Sequence, residues 1–200
     1  MGEEVKILLI LAKGFEDIEA VTVIDACGWT SYKPDIVDVT LVTSGLHDRV
    51  SGRYGITIEP DVLVDEVDAK EFDAVVLPGG FDSHGYEEAY DERILSIIRD
   101  VHSRGGVIAT MCVGALPVAK AGLLNGKRAA TYPFSRNHDR FEMLRSFGAS
   151  AADGPVVIDD RIISSTGPAH SVDVVLRMFE QLIEKDSVAE IRKLMSGIDA

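Results

Sequence analysis

The sequence predicts an α/β fold, a three-layer sandwich built on a mostly parallel central sheet, and three observations predict it. Short, nearly continuous apolar runs, VKILLILA (5–12), VDVTLVTS (37–44), FDAVVLPGG (72–80) and GVIATMC (106–112), have the composition of strands buried on both faces. Helical patterns fall between them, so that strand and helix alternate along the chain. Length and composition then set the scale: 200 residues, 46% of them apolar, suffice for one well-cored domain over 1–200 and not for two.

The elements follow in order. After the first strand a helical pattern at about 15–28 carries the apolar stripe Ala20, Val23, Ile24, Cys27, so Cys27 reads as a core residue. The second strand is followed by GRYGITIEPDVLVDEV (52–67), where Ile56 and Ile58 give a short β pattern ended by Pro60; a small antiparallel excursion is expected. The third strand leads to a helix at about 88–104, and the fourth to one at about 113–122. Beyond GKRAATYP (126–133) lie a helical segment near 134–146 and a pair of short strands in GPVVIDDRIISST (154–166), turning at Asp159-Asp160. SVDVVLRMFEQLIEK (171–185) is a long amphipathic helix, and a second short helix is expected from Ser187, whose Ser-x-x-Glu spacing to Glu190 is a capping box.

Charge and cysteine usage exclude whole classes of function. Twenty basic against 33 acidic residues leave a net charge of -13, which argues against a nucleic-acid partner. No apolar stretch is long enough to span a bilayer, and the first residues lack the basic start and cleavage site of a signal peptide. A cytoplasmic, reduced setting is expected. With Cys27 and Cys112 the only cysteines, no disulfide framework is available.

Cys112 is the residue to interrogate, because VIATMCVGALPV (107–118) places it where a strand turns into a helix. The x-Cys-x-Gly pattern is the thiol relative of the strained nucleophile elbow, and helix N–H groups at such a corner are expected to stabilise a thiolate. Two other strand ends carry candidate partners: AKGFEDIEA (12–20) sets Glu16 and Glu19 three apart on one helix face, and LPGGFDSHG (77–85) offers backbone N–H groups at Gly79 and Gly80. Ligands in open α/β sheets bind beyond these carboxyl ends, so one site can gather all three.

KGFEDIEA, VVLPGG, ATMCVGA and STGPAHS together resemble the ordered landmarks of the ThiJ/PfpI superfamily of class I glutamine-amidotransferase-like proteins, over nearly the whole chain. The resemblance implies a flavodoxin-like sandwich with a cysteine nucleophile elbow, no metal, no cofactor and a homodimer. Residue by residue it makes Cys112 the nucleophile and Glu19 its acidic partner, protonated so as to donate a hydrogen bond to sulfur. Gly79, Gly80 and the N–H groups from Val113 onward become an oxyanion pocket; apart from the resemblance, Glu16, on the helix face of Glu19, and Tyr132, whose hydroxyl can donate to a substrate oxygen, are candidate substrate-binding residues.

Two departures matter. Peptidase-like relatives carry His directly after the cysteine, where this chain has Val113; deglycase-like ones carry His before a proline, where it has Tyr132 before Pro133. His170, in TGPAHS, is then the candidate base, whereas His84 reads as a solvated loop residue and His138 as part of an exposed helix face. TSYKPDIVD (30–38), longer than the link in relatives, is expected to wall the pocket. The reading that results is a glyoxalase III- or deglycase-like enzyme converting a 2-oxoaldehyde, a small-molecule substrate, to a 2-hydroxy acid. The alternatives are a redox-sensing or stress-response chaperone-like protein whose Cys112 is oxidised, and, more weakly, an intracellular peptidase or amidase.

Overall fold

A computed structural model describes residues 4–32, 39–134 and 138–197. Seven strands form the central sheet: β1 (Val5–Leu11), β2 (Val39–Gly45), β5 (Val62–Leu63), β6 (Ala74–Leu77), β7 (Val107–Thr110), β10 (Val156–Asp159) and β11 (Ile162–Ser165), in the order β10-β11-β7-β6-β1-β2-β5. All neighbours run parallel except the edge pair β10 and β11. Four two-residue strands stand apart: β3 (Val50–Ser51) with β4 (Thr57–Ile58), antiparallel, and β8 (Arg128–Ala129) with β9 (Ser150–Ala151).

The strands read as unbroken apolar runs because both faces are covered. Ile7, Leu9 and Leu11 of β1 pack into one core with α1 (Asp17–Trp29), α5 (Ser171–Leu182) and α6 (Lys185–Ser196). Leu8 and Ile10, pointing to the opposite face, join a second core with α2 (Glu92–Ser103), α3 (Ala115–Lys120) and α4 (Arg140–Ser146). Cys27 lies in the first core at 4% exposure, and burial pushes its thiol up to about 12.

Several expectations are corrected. The excursion at 52–67 is only half antiparallel: β3 and β4 pair that way, but Val62–Leu63 returns to the main sheet as a parallel edge strand beside β2. The last helix begins at Lys185 with Glu184 as its extended N-terminal residue, so Ser187 lies inside the first turn and caps nothing. The preceding helix stops at Leu182 because Ile183 is extended, at φ -132° and ψ 169°. The helix expected from 134 starts at Arg140, where the Asp139 side chain accepts from Glu142 N. Of TSYKPDIVD, Thr30–Tyr32 form a 3₁₀ turn and 33–38 lie outside the described residues.

The chain runs outward from β1 through β2 to β5, then crosses to β6 and continues through β7 to β11. The order reverses between β1 and β6, and a crevice opens at the carboxyl ends flanking such a reversal. The loops after β1, β6 and β7 all end there.

Candidate active site

Two of these loops are clamped to each other. Glu16 N donates to Gly79 O at 2.8 Å, and Phe81 N to Gly14 O at 2.9 Å, a one-residue antiparallel bridge between Phe15 and Gly80. Asp17, 7% exposed, ties in the β3–β4 hairpin by accepting from Tyr54 N and Ile56 N, each at 2.9 Å.

Cys112 follows β7 with φ at 52°, the left-handed region, which costs a residue bearing a Cβ about 1–2 kcal/mol. Val113 and Gly114 complete a 3₁₀ turn that runs into α3. The corner is held by the Thr131 hydroxyl, which donates to Cys112 O at 3.0 Å, and by Gly114 N, which donates to Met111 O at 2.8 Å. A Cβ at Gly114 would meet Leu77 O at 2.5 Å, so a glycine lets the turn pass beneath β6. On the facing loop a Cβ at Gly79 would meet the Cys112 Cβ at 2.7 Å, and the space beside Gly80 is filled by the buried Tyr86 ring, whose hydroxyl donates to Pro78 O.

Glu19, in the first turn of α1, is fully buried at this junction. Its Oε2 accepts from Gly79 N at 2.6 Å, while Oε1 is buried with no hydrogen-bond partner among the described residues. Burial pushes the carboxyl up to about 8, with the nearby Glu16 adding to the rise and the Gly79 N–H opposing it. Glu19 is thus mostly a neutral acid at pH 7. Because Oε2 accepts from an amide, the proton is assigned to Oε1.

The cysteine differs from the thiolate expected of it. Burial first, and then the charge Glu19 carries once it ionises, hold the Cys112 thiol well above its ordinary range; the Val113 N–H and the Arg140 guanidinium pull the other way and are outweighed. The resting pair is a thiol beside a carboxylic acid. Gly79 is also more committed than expected, since its N–H serves Glu19, leaving Val113 N–H as the backbone donor at the sulfur.

Above the sulfur opens a cavity of about 460 Å³. Cys112, Val113, Gly80 and Glu16 line its floor; Tyr54, Phe81, Tyr132 and Phe134 form aromatic walls, with the Tyr132 and Phe134 rings edge to face at 5.9 Å. Asp82, Ser83, His138, Arg140 and Pro168 complete it. Burial raises the Glu16 carboxyl, with Asp17 adding to it and Arg53 opposing. His170 sits in the 3₁₀ turn Pro168–His170 that leads into α5 and is not part of the lining, and neither is His84, which bonds Arg53 at 3.1 Å. His138, expected on a helix face, instead precedes α4 and borders the cavity.

The sequence reading missed Thr131, Tyr86, Asp17 and Arg140. Thr131 adjoins Tyr132 in the TYP triplet and was within reach of that motif. Asp17 was hidden because an acid in a first helical turn ordinarily complements the macrodipole. Nothing in spacing marks Arg140.

Comparison with known proteins agrees with this architecture. The sequence profile of the DJ-1/PfpI family matches residues 5–181. The chain is 30% identical over 188 residues to the protein named dj-1beta of Drosophila melanogaster, covering 93% of this chain and 94% of that one. The crystal structure of Drosophila DJ-1beta superposes with a TM-score of 0.83 at 27% identity, over 97% of this chain and 98% of that one. A Pyrococcus horikoshii protein named as a deglycase is 30% identical over 164 residues, 82% of this chain and 91% of its own length. Protein DJ-1 homolog A of Arabidopsis thaliana is 30% identical over 190 residues, and the chain spans 46% of that longer protein.

Proposed function

The chain belongs to the DJ-1/PfpI family, and from that premise we propose that it is a cysteine-dependent enzyme converting small 2-oxoaldehydes to 2-hydroxy acids, with Cys112 as nucleophile and Glu19 as proton carrier. The observation that carries the reading is the divided use of the Glu19 carboxyl: one oxygen is fixed by Gly79 N–H, and the other is buried with no hydrogen-bond partner among the described residues, near Cys112, which itself lines an open cavity. The deglycase names among the relatives support carbonyl chemistry at such a site.

The steps balance without an external oxidant. Cys112 sulfur bonds to the aldehyde carbon, the carbonyl oxygen takes the proton from Glu19 Oε1, and the thiol proton leaves to solvent. Glu19, now a carboxylate, removes the hydrogen from that carbon and returns it to the neighbouring ketone carbon through an enediol, while the hydroxyl proton passes from the first oxygen to the second. The aldehyde carbon is oxidised and the ketone carbon reduced. Water then cleaves the thioester to the 2-hydroxy acid and the free thiol, and Glu19 takes back from solvent the proton that the thiol released, which restores both groups.

Val113, 5% exposed, leaves no adjacent base for peptidase chemistry. Methylglyoxal turnover to lactate tests the reading. Cys112→Ala is expected to abolish it, Glu19→Gln to lower kcat by roughly 10²–10⁴-fold, and His170→Ala, outside the cavity lining, to leave kcat unchanged. Wild-type protein that forms no lactate, or a fully active Glu19→Gln, refutes it. Loss of activity in His170→Ala would return that residue to the mechanism.

A further inference from the structure

Arg140 is a nearly buried cation without enough acceptors. Its side chain is 11% exposed, on the wall of the cavity over Cys112. Among the described residues, Nη2 donates to Asp82 Oδ2 at 3.1 Å, Nη1 reaches only the thioether sulfur of Met143 at 3.7 Å, and Nε is buried with no hydrogen-bond partner. Asp82 is itself 47% exposed, so water screens the charge it presents to the guanidinium. A desolvated guanidinium normally has its donors taken up by carboxylate or carbonyl oxygens, and among the described residues most of these donors are not.

The cavity is also too large for the smallest substrate of the proposed class. At about 460 Å³ it falls in the range of sites that enclose drug-sized ligands, whereas methylglyoxal has five heavy atoms. Tyr54, Phe81 and Tyr132, which line the same cavity as Cys112 and Arg140, offer apolar contact to a short carbon chain. In a protein of net charge -13, the Arg140 guanidinium in the lining, with Arg53 held over the Tyr54 and Phe81 rings, selects an anion that the bulk surface would repel.

We infer that the substrate is a 2-oxoaldehyde bearing a carboxylate a few carbons from the reactive carbonyl, and that Arg140 binds that carboxylate while Cys112 attacks the aldehyde. The inference rests on the function proposed above. It adds the specificity: the carboxylate supplies the oxygens Arg140 lacks, and its distance from the aldehyde is set by the span between guanidinium and sulfur.

The test compares 4,5-dioxopentanoate with the uncharged 2-oxohexanal. Wild type is expected to show the higher kcat/KM for the carboxylate. Arg140→Gln is expected to reduce the ratio of the two kcat/KM values by roughly 10- to 100-fold, the effect of losing hydrogen bonds to a charged group, with Arg140→Lys in between. An unchanged ratio in Arg140→Gln, or a wild type that prefers the neutral aldehyde, overturns the inference while leaving the proposed chemistry standing. If neither aldehyde is turned over, the proposed chemistry falls, and the carboxylate site is still read by calorimetry with 2-hydroxyglutarate, the acid that 4,5-dioxopentanoate would yield. Binding to wild type that Arg140→Gln loses supports the site, and no binding to wild type overturns it.

Discussion

At the scale of single residues, Glu19 ties the proposed chemistry to stability. Its carboxyl titrates near 8 in the fold against about 4.5 unfolded, so between those values the native state binds a proton that the unfolded chain has lost. Stability therefore falls as pH rises across that window: the contribution is complete below about 4.5 and gone once the pH has passed through 8. Chemical denaturation of wild type is expected to show this decline, and Glu19→Gln, which has no proton to lose, to flatten it; parallel pH profiles would place the titration elsewhere. The raised thiol has a signature of its own. Alkylation of Cys112 should quicken about tenfold per pH unit from 7 to 9, because only the thiolate reacts, and Glu19→Gln should accelerate it at pH 8.5 by removing the adjacent negative charge. A rate independent of pH above 7 would mean a depressed thiol. The sequence made Cys112 and Glu19 legible through their neighbours, ATMCVGA and KGFEDIEA. It did not show the sign of the cysteine shift, which depends on how completely β6, β7 and α1 exclude water from the corner.

At the scale of elements, the long apolar runs were readable because burial on both faces leaves no polar alternation to interpret, and β1, β2, β6 and β7 lie within their predicted stretches apart from Gly45, one residue beyond the second run. Val62–Leu63 was not readable as a sheet strand: two residues carry no periodicity, and their pairing with Ser44 and Gly45 is decided by the neighbouring strand. Ser187 likewise has the local chemistry of a cap, yet the chain enters α6 two residues earlier, where Val188 and Ile191 reach the first core. Tertiary packing outweighs a cap worth about 1 kcal/mol. The β3–β4 hairpin shows the opposite balance, a short element held by the Asp17 side chain together with backbone hydrogen bonds from Gly14 N to Ser51 O and from Arg53 N to Phe15 O. Its two-residue strands cannot stand alone, and the buried Asp17 carboxylate accepts from two of its amides. Asp17→Ala is expected to destabilise the protein by about 2–3 kcal/mol, the scale of lost hydrogen bonds to a charged acceptor, and to speed hydrogen exchange at Tyr54 and Ile56 above all. Uniform acceleration across the sheet would indicate instead that Asp17 supports the whole fold.

At the scale of the whole molecule, α1 is unusual in being apolar on two sides. Ala20, Val23, Ala26 and Cys27 face the core, while Ile18 and Val21, 55% and 38% exposed, sit three residues apart on the outer side. The Asp17 clasp fixes the hairpin carrying Tyr54 and Ile56, 69% and 40% exposed, against the first turn of the same helix. Single exposed apolar side chains are ordinary, but four brought to one corner of the fold form a surface that a second copy would cover by two-fold symmetry. Tyr54 belongs both to that corner and to the cavity wall, so a partner docked there would border the entrance to Cys112 and narrow it. Light scattering at micromolar concentration is expected to give twice the 21.7 kDa chain mass, and Ile18→Asp combined with Val21→Asp to give a monomer, since each would bury a charge at the centre of the contact. The two changes lie on the solvent side of α1 and leave the Glu19 face intact, so a folded monomeric variant separates assembly from chemistry. Reduced affinity for aldehyde with kcat preserved would show that the partner shapes the entrance. A wild type that scatters as a monomer removes the interface altogether.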